Sequence, residues 1–397
     1  MSASKENAIL ARITLITSLG DFISFFAVLV FIHQISGSVL LASYTVPIKS
    51  LGIAIGGFLL PRTLSFVSPR RAIIFSQVLS FFLILALSLM ALGKSNAGII
   101  LAILFFQTVL KQIFEGARET YSHAIGEAPE QRVLQAQILH GFFSAQTFGP
   151  IISFILLKTL PIQIPLFIDA GSFLCAAIIA LQLRKELKPK SGSFSILRPL
   201  KYLAQSPNLR KIFFIRSIGY WIPVGIFNYL IFSVIEDYYH VDIVYSAWAY
   251  SIIGLGSMFA TLMLRDGRIQ SASVLRKLPD SALAAMALFL LALTRIGFIR
   301  MPALILAIAI LGIGGLCNGV NAVTTQSLRR KFATPDQFPE IIGLELVLGR
   351  ITDWAVATLA FISLKQGLIS YEKGIWLSAG SLILLALFHL DKELLKE

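Results

Sequence analysis

The chain is 397 residues long, 56% hydrophobic and only 14% charged, with a mean hydropathy of +0.80. That is more apolar surface than one water-soluble core can hide, which excludes an ordinary soluble globular protein. The net charge of +13 would suggest nucleic acid in a soluble chain, but the lysines and arginines sort by loop instead of gathering on one segment, and no nucleic-acid partner is expected.

The apolar runs last roughly 18–26 residues between short polar breaks, the length of helix that crosses a hydrocarbon layer about 30 Å thick. Twelve spans are predicted. The first six lie near Ala8–His33, Leu40–Leu60, Ala72–Leu92, Ile99–Tyr121, Val133–Leu157 and Ile164–Leu183. The second six lie near Ile212–Ile235, Val244–Leu264, Ala282–Phe298, Ala303–Gln326, Ile341–Leu364 and Gly374–Leu390. The first is too long for a signal-peptide core and is expected to be retained. Basic residues concentrate in alternate loops, at Arg62, Arg70 and Arg71, from Arg184 to Lys211, from Arg265 to Lys277 and from Arg329 to Lys331. By the positive-inside rule both termini are expected in the cytoplasm.

Charges inside spans are the informative residues, because one at mid-bilayer costs about 2.5–3.5 kcal/mol on insertion scales and needs a cavity or a partner. In the first span, SLGDFISFFAVLVF from Ser18 places Asp21 near mid-membrane. Lys49 in the second span reaches similar depth with no acid at helical spacing. An Asp21–Lys49 ion pair and a proton-binding carboxylate are both open readings. In the fourth span Lys111, Glu115 and Arg118 are spaced four and three apart, on one helical face. With Glu119, Arg70 and Arg71 they form either a self-neutralised helix end or an inner gate. In the fifth, Gly141 and Gly149-Pro150 predict close helix approach and a bend.

The segment Arg184–Lys211 is the one long polar interruption and divides the chain into 1–183, a linker 184–211, and 212–397. Within it SFSILRPLKYLAQ fits a short helix on the inner leaflet or an ordinary basic linker. Pro129-Glu130-Gln131 and Pro335-Asp336-Gln337, half a chain apart, point to an internal repeat. Arg216 in the seventh span has no acid at helical spacing, whereas Arg350 and Asp353 in the eleventh are three apart and can neutralise each other. Phe25, Tyr220, Trp221 and Trp354 are candidates to line an apolar cavity for a bulky ligand, among 30 Phe that mostly pack or face lipid. The five His are scattered, so neither a metal site nor a cofactor is expected, and the lone Cys175 and Cys317 each fall inside a span. No nucleophile–base pair or phosphate loop argues for an enzyme.

Gly20-Asp21, FFQTVLKQIFEGAR at Phe105–Arg118, FGP at Phe148–Pro150 and PLFIDAGSFLCAAIIALQLR from Pro165 resemble the major facilitator superfamily, in particular the bacterial efflux branch with macrolide and enterobactin exporters. The resemblance implies an all-α integral membrane fold of two pseudo-symmetric six-helix halves. It also implies a monomer in the inner membrane that exports an amphipathic small molecule, of drug or siderophore type, in exchange for protons. Asp21, Lys49, Arg216, Arg350 and Asp353 are then expected at the coupling site and cavity. Two departures stand out: Gly57 is followed by Phe-Leu-Leu-Pro61-Arg62 where the family has Gly-x-x-x-Asp-Arg, and Ser153-Phe154 replaces a closing glycine pair. Alternatives are a lysophospholipid flippase holding its headgroup between Asp21 and Arg216, and a transporter-like sensor that no longer cycles. A metal exporter built on Asp21 and Asn228 gathers no soft or imidazole ligands.

Overall fold

The computed structural model describes residues 3–93, 96–125, 131–184, 197–233, 235–236, 240–265, 280–288, 290–292, 302–334 and 337–387. The described elements are helical. The first six spans are α1 (Ala3–Ser36), α2 with α3 (Val39–Ser43, Thr45–Phe66), α4 (Pro69–Met90), α5 (Ala97–Ile125), α6 (Gln131–Thr159) and α7 (Gln163–Ala180). Two short helices follow, α8 (Leu197–Gln205) and α9 (Pro207–Lys211). The second six begin with a π-helical turn, Ile212–Ile218, that runs into α10 (Gly219–Ser233), and continue with α11 (Ser246–Arg265) and the apolar stretch α12 (Asp280–Ala292). They end with α13 (Pro302–Phe332), α14 (Phe338–Lys365) and α15 (Tyr371–Ala386). Eight of the described helices are long and apolar enough to cross a membrane on length and composition alone.

Local chemistry sets several boundaries. Ser68 caps α4 by accepting from the Arg71 amide, with Pro69 in the first turn where its missing donor is not needed. α1 starts five residues before the predicted apolar run because its polar first turns are satisfied by neighbours. Glu6 accepts from the Tyr121 hydroxyl at 2.7 Å, and Asn7 donates to Gln137 at 2.8 Å. α3 likewise continues beyond the predicted Leu60, through Pro61 to Phe66.

The α3–α4 connection with Arg70, the end of α7 and the start of α1 lie at one end, called here the basic end, and the α1–α2 and α6–α7 connections at the opposite end. An apolar cluster at the opposite end joins the outer half of α1 to α10, α11 and α14. Every residue from Phe25 to Ile32 is 0–7% exposed, so that stretch of α1 is enclosed on all sides. A second cluster at the basic end joins Leu60, Leu64 and Phe114 to Phe338, Ile341 and Ile342. The amphipathic linker helix differs from its leaflet reading. In α8, Leu203 is buried in this second cluster and Arg198 reaches Glu340 at 3.9 Å, so part of its apolar face is spent on protein. Residues 185–196 of the linker, and the Pro-acid steps at 129–130 and 335–336, lie outside the described residues.

Small residues let the helices approach. A Cβ at Gly149 would stand 2.6 Å from Phe22 Cβ, and one at Gly141 2.9 Å from the Ala11 carbonyl, so the predicted glycines of α6 press on α1. Ser153, which replaces a family glycine, donates to the Ile23 carbonyl at 2.8 Å in the same seam.

Candidate functional site

Between the two apolar clusters lies a cavity of about 310 Å³. α1 contributes Asp21, Phe22 and Phe25; α3 contributes Val46, Lys49, Ser50 and Ile53; Lys111 enters from α5. On the other side α10 supplies Tyr220, Trp221, Phe227 and Asn228, and α14 supplies Arg350 and Asp353. Most of the lining is apolar, with a few convergent charges, the composition of a small-molecule site.

The charges form two knots and one outlier. Asp21 is 7% exposed; its Oδ2 meets Lys111 Nζ at 2.7 Å, and its Oδ1 accepts from Gln107 at 3.1 Å. Across the cavity, Asp353 Oδ2 accepts from Arg350 at 3.1 Å and from the Ser50 hydroxyl at 2.5 Å, and the Ser50 contact links α3 to α14. The Arg350 guanidinium lies 3.6 Å from the Trp221 ring centroid, a cation–π stack, and Gly349 leaves room for that indole. Lys49 is the outlier. Its ammonium sits 4.6 Å from the Phe25 ring centroid with no carboxylate within 4.0 Å among the described residues.

Several expectations change. Asp21 pairs with Lys111, not Lys49. Phe25 lies one helical turn beyond Asp21, about 6 Å of rise, and Lys49 packs at that level. Lys111 lines the cavity wall. Glu115 stands 4.0 Å from Lys111, while Arg118 turns to the Thr14 hydroxyl at 3.0 Å and to Glu119 at 2.9 Å, so the three do not form one chain of ion pairs. Arg70 donates to the Leu181 carbonyl at 3.2 Å; Arg71 lies in the first turn of α4. Trp354 is not among the lining residues, because it is one residue, about 100° of helix, past the inward-facing Asp353. The Arg216 side chain falls outside the described residues. Phe22, Phe142, Phe143 and Tyr250 line the cavity without having been singled out.

Asp169 is the residue the sequence reading overlooked. Asp169 is fully buried between α7 and the Gly20 backbone, and its Oδ1 accepts from Ser172 at 3.3 Å. A lone acid in an apolar run was the available signal, and it was absorbed into the family-like string PLFIDAGSF.

At both ends of the cavity, described residues of the first and last six spans are in contact. At the opposite end Phe25 meets Phe232 at 5.9 Å, Phe26 meets Tyr250 at 5.6 Å, and Tyr44 meets Phe361 at 5.5 Å. At the basic end, His123 packs on Phe338 at 4.5 Å and contacts the Ala333 carbonyl at 3.2 Å, and Gln135 bonds Gln326. Pro61, where the family has an acid, lies in the close contact between Gly57 and Gly343, so apolar packing occupies that place.

A sequence profile of the Major Facilitator Superfamily matches residues 10–344. The chain belongs to the major facilitator superfamily. No curated protein matches it in sequence. Among solved structures, the human organic anion transporter TETRAN is similar at 14% identity, with 98% of this chain and 99% of that one covered and a TM-score of 0.70. A bacterial homologue of the iron transporter ferroportin in its outward-facing state matches at 12% identity, 96% and 98% coverage and a TM-score of 0.69. The proton:xylose symporter XylE, bound to 6-bromo-6-deoxy-D-glucose, matches at 11% identity, 97% and 95% coverage and a TM-score of 0.72. This major facilitator protein therefore has the twelve-helix fold and is a transporter, not an enzyme. Among its described residues no group of three or more His, Cys, Asp or Glu could hold a metal ion.

The opposite end also carries a charged latch. Lys158 of α6 bonds Asp242 at 3.0 Å, and His33 of α1 meets Glu236 at 3.5 Å. Burial alone raises the Asp242 carboxyl, but the Val244 amide and the Lys158 ammonium outweigh it and hold the group below its ordinary value. A depressed carboxyl stabilises closure above its unfolded value, about 3.9, and that contribution is lost as pH falls through the folded value. Both side chains are nearly half exposed, so the effect is about 0.2–1 kcal/mol. Spin-label distances across this end should lengthen slightly on acidification below about pH 4, and in Asp242→Asn they should be longer at neutral pH and insensitive to that change.

Proposed function

We propose that this protein is a secondary active exporter that moves an amphipathic small molecule out of the cell in exchange for protons, by alternating access to the central cavity. The observation that carries the reading is the Asp21–Lys111 pair, a buried carboxylate and a partly buried ammonium in the wall of a largely apolar chamber. A carboxylate in that place is stable either paired with the ammonium or carrying a proton, and an unpaired ion there is costly. Drawing Lys111 away therefore loads Asp21 with a proton from the open side. Return of Lys111 expels that proton, so proton occupancy and cavity occupancy alternate.

Supporting this reading, the first and last six spans touch at both ends of the chamber, the contacts that alternating access would have to make and break in turn. Export, and placement of the basic end in the cytoplasm of a bacterial inner membrane, rest on the efflux-branch motifs and the distribution of lysine and arginine. The test is flux in sealed proteoliposomes with a fluorescent amphipathic dye. An imposed pH gradient should drive dye against its own gradient, with measurable proton counterflow. Dye movement indifferent to the pH gradient removes proton coupling, and absence of any solute movement across a broad panel leaves only a non-transporting role.

A further inference from the structure

We propose that the cavity takes an amphipathic organic anion, with its acidic group on Lys49 and its apolar body against the aromatic wall. This rests on the transporter reading above and names the chemistry of its cargo.

Three cations and two carboxylates among the described residues line the chamber. Lys111 is held by Asp21 at 2.7 Å and Arg350 by Asp353 at 3.1 Å, which leaves Lys49 as the excess charge. The nearby acids do not cancel it. Glu115 and Asp169 are not among the lining residues; Glu115 approaches Lys111, and Asp169 sits behind α1 against Ser172. The Lys49 ammonium has three donors, and among the described residues its close polar or ring contact is the face of Phe25. A ring face is a weak substitute for an anion in a site from which water is largely withdrawn. A carboxylate, sulfonate or phosphate delivered into the chamber supplies what this side chain lacks.

The rest of the cargo is read from the wall. Phe25, Tyr250, Phe142, Trp221 and Phe227 give the chamber that Lys49 enters an apolar surface, so the molecule carries an aromatic or aliphatic body beside its charge. At about 310 Å³ the chamber suits a small drug-sized acid and is too small for a two-chain lipid. The anionic group could come from a free acid or from a single-chain lysophospholipid, and the two are separable by experiment.

Purified full-length protein is titrated with naphthylacetate, its neutral amide and the matching amine, and separately with lysophosphatidate, reading Trp fluorescence and thermal midpoint. The acid is expected to bind at least about tenfold more tightly than amide or amine, the scale of one charge-assisted hydrogen bond. Lys49→Gln should erase that preference by weakening the acid far more than the amide, and Lys49→Arg should restore it. Binding of lysophosphatidate alone, lost in Lys49→Gln, keeps the anion site and assigns its source to lipid. Equal or tighter binding of amide or amine, or an acid preference that survives Lys49→Gln, overturns the proposal. These readouts are equilibrium binding, so a protein that binds acids at Lys49 yet moves no solute refutes the transporter reading and spares this one. A protein that moves only neutral or cationic dyes does the reverse.

Discussion

Asp21→Asn is expected to abolish pH-gradient-driven transport while the protein still inserts and folds. The substitution keeps the shape and the contact with Gln107 but leaves Glu115, at 4.0 Å, as the acid within ion-pair reach of Lys111 among the described residues. Breaking a buried pair in this way destabilises by about 3–5 kcal/mol, so loss of function in the single variant has two explanations. The double variant Asp21→Asn, Lys111→Gln separates them. With both charges gone no buried ion is stranded, and its thermal midpoint should return close to that of the native protein, whereas uphill transport should stay absent. A double variant that still concentrates substrate with native pH dependence would show that Asp21 is a structural counter-ion and that coupling lies elsewhere, with Asp353 the next carboxylate to test.

The second large effect is expected at Gly343. A Cβ there would meet the Gly57 carbonyl at 2.8 Å and the Pro61 ring at 2.9 Å, and the atoms it meets belong to a backbone and a locked ring that cannot swing away. Gly343→Leu should therefore act as a wedge between α3 and α14 at the basic end. Overpacking of this kind costs about 1–3 kcal/mol, charged almost entirely to the closed state. The closed population at that end should fall roughly 5- to 150-fold. Thiol labelling of cysteines placed on the basic-end faces of α3 and α14 should accelerate accordingly, and turnover should collapse because the cycle cannot close. Unchanged labelling would mean that the helices separate there without passing through the described contact.

The fold was legible because the bilayer imposes one length on every span, and breaks between apolar runs survive any error of a few residues at the ends. The list of charges facing the cavity was partly legible for a related reason: Asp21, Arg350 and Asp353 are too costly at that depth to face lipid. Their partners were not. Asp21 and Lys111 sit on helices that enter from opposite ends, so their levels depend on where each helix starts, and α1 begins five residues early because Tyr121 and Gln137 satisfy its polar first turns. Rotation about the helix axis was equally hidden. Trp354 and Asp353 are adjacent in sequence, yet one is off the cavity wall and the other on it. Tyr250 and Phe142 look like any other aromatic in a chain with 30 Phe until the tertiary arrangement turns them inward.

The outer half of α1 bears on how the machine moves. From Phe25 to Ile32 the helix touches protein on every side and offers its neighbours apolar side chains almost without interruption. Contact of that kind is non-directional: a small slide replaces one set of dispersion contacts with another of similar strength, and no hydrogen bond must be broken to start it. A surface of that kind suits neighbouring helices that turn against it, as a journal suits its shaft. Putting a hydrogen-bonding side chain on it would act as a brake, slowing the cycle while leaving cargo affinity at the cavity intact.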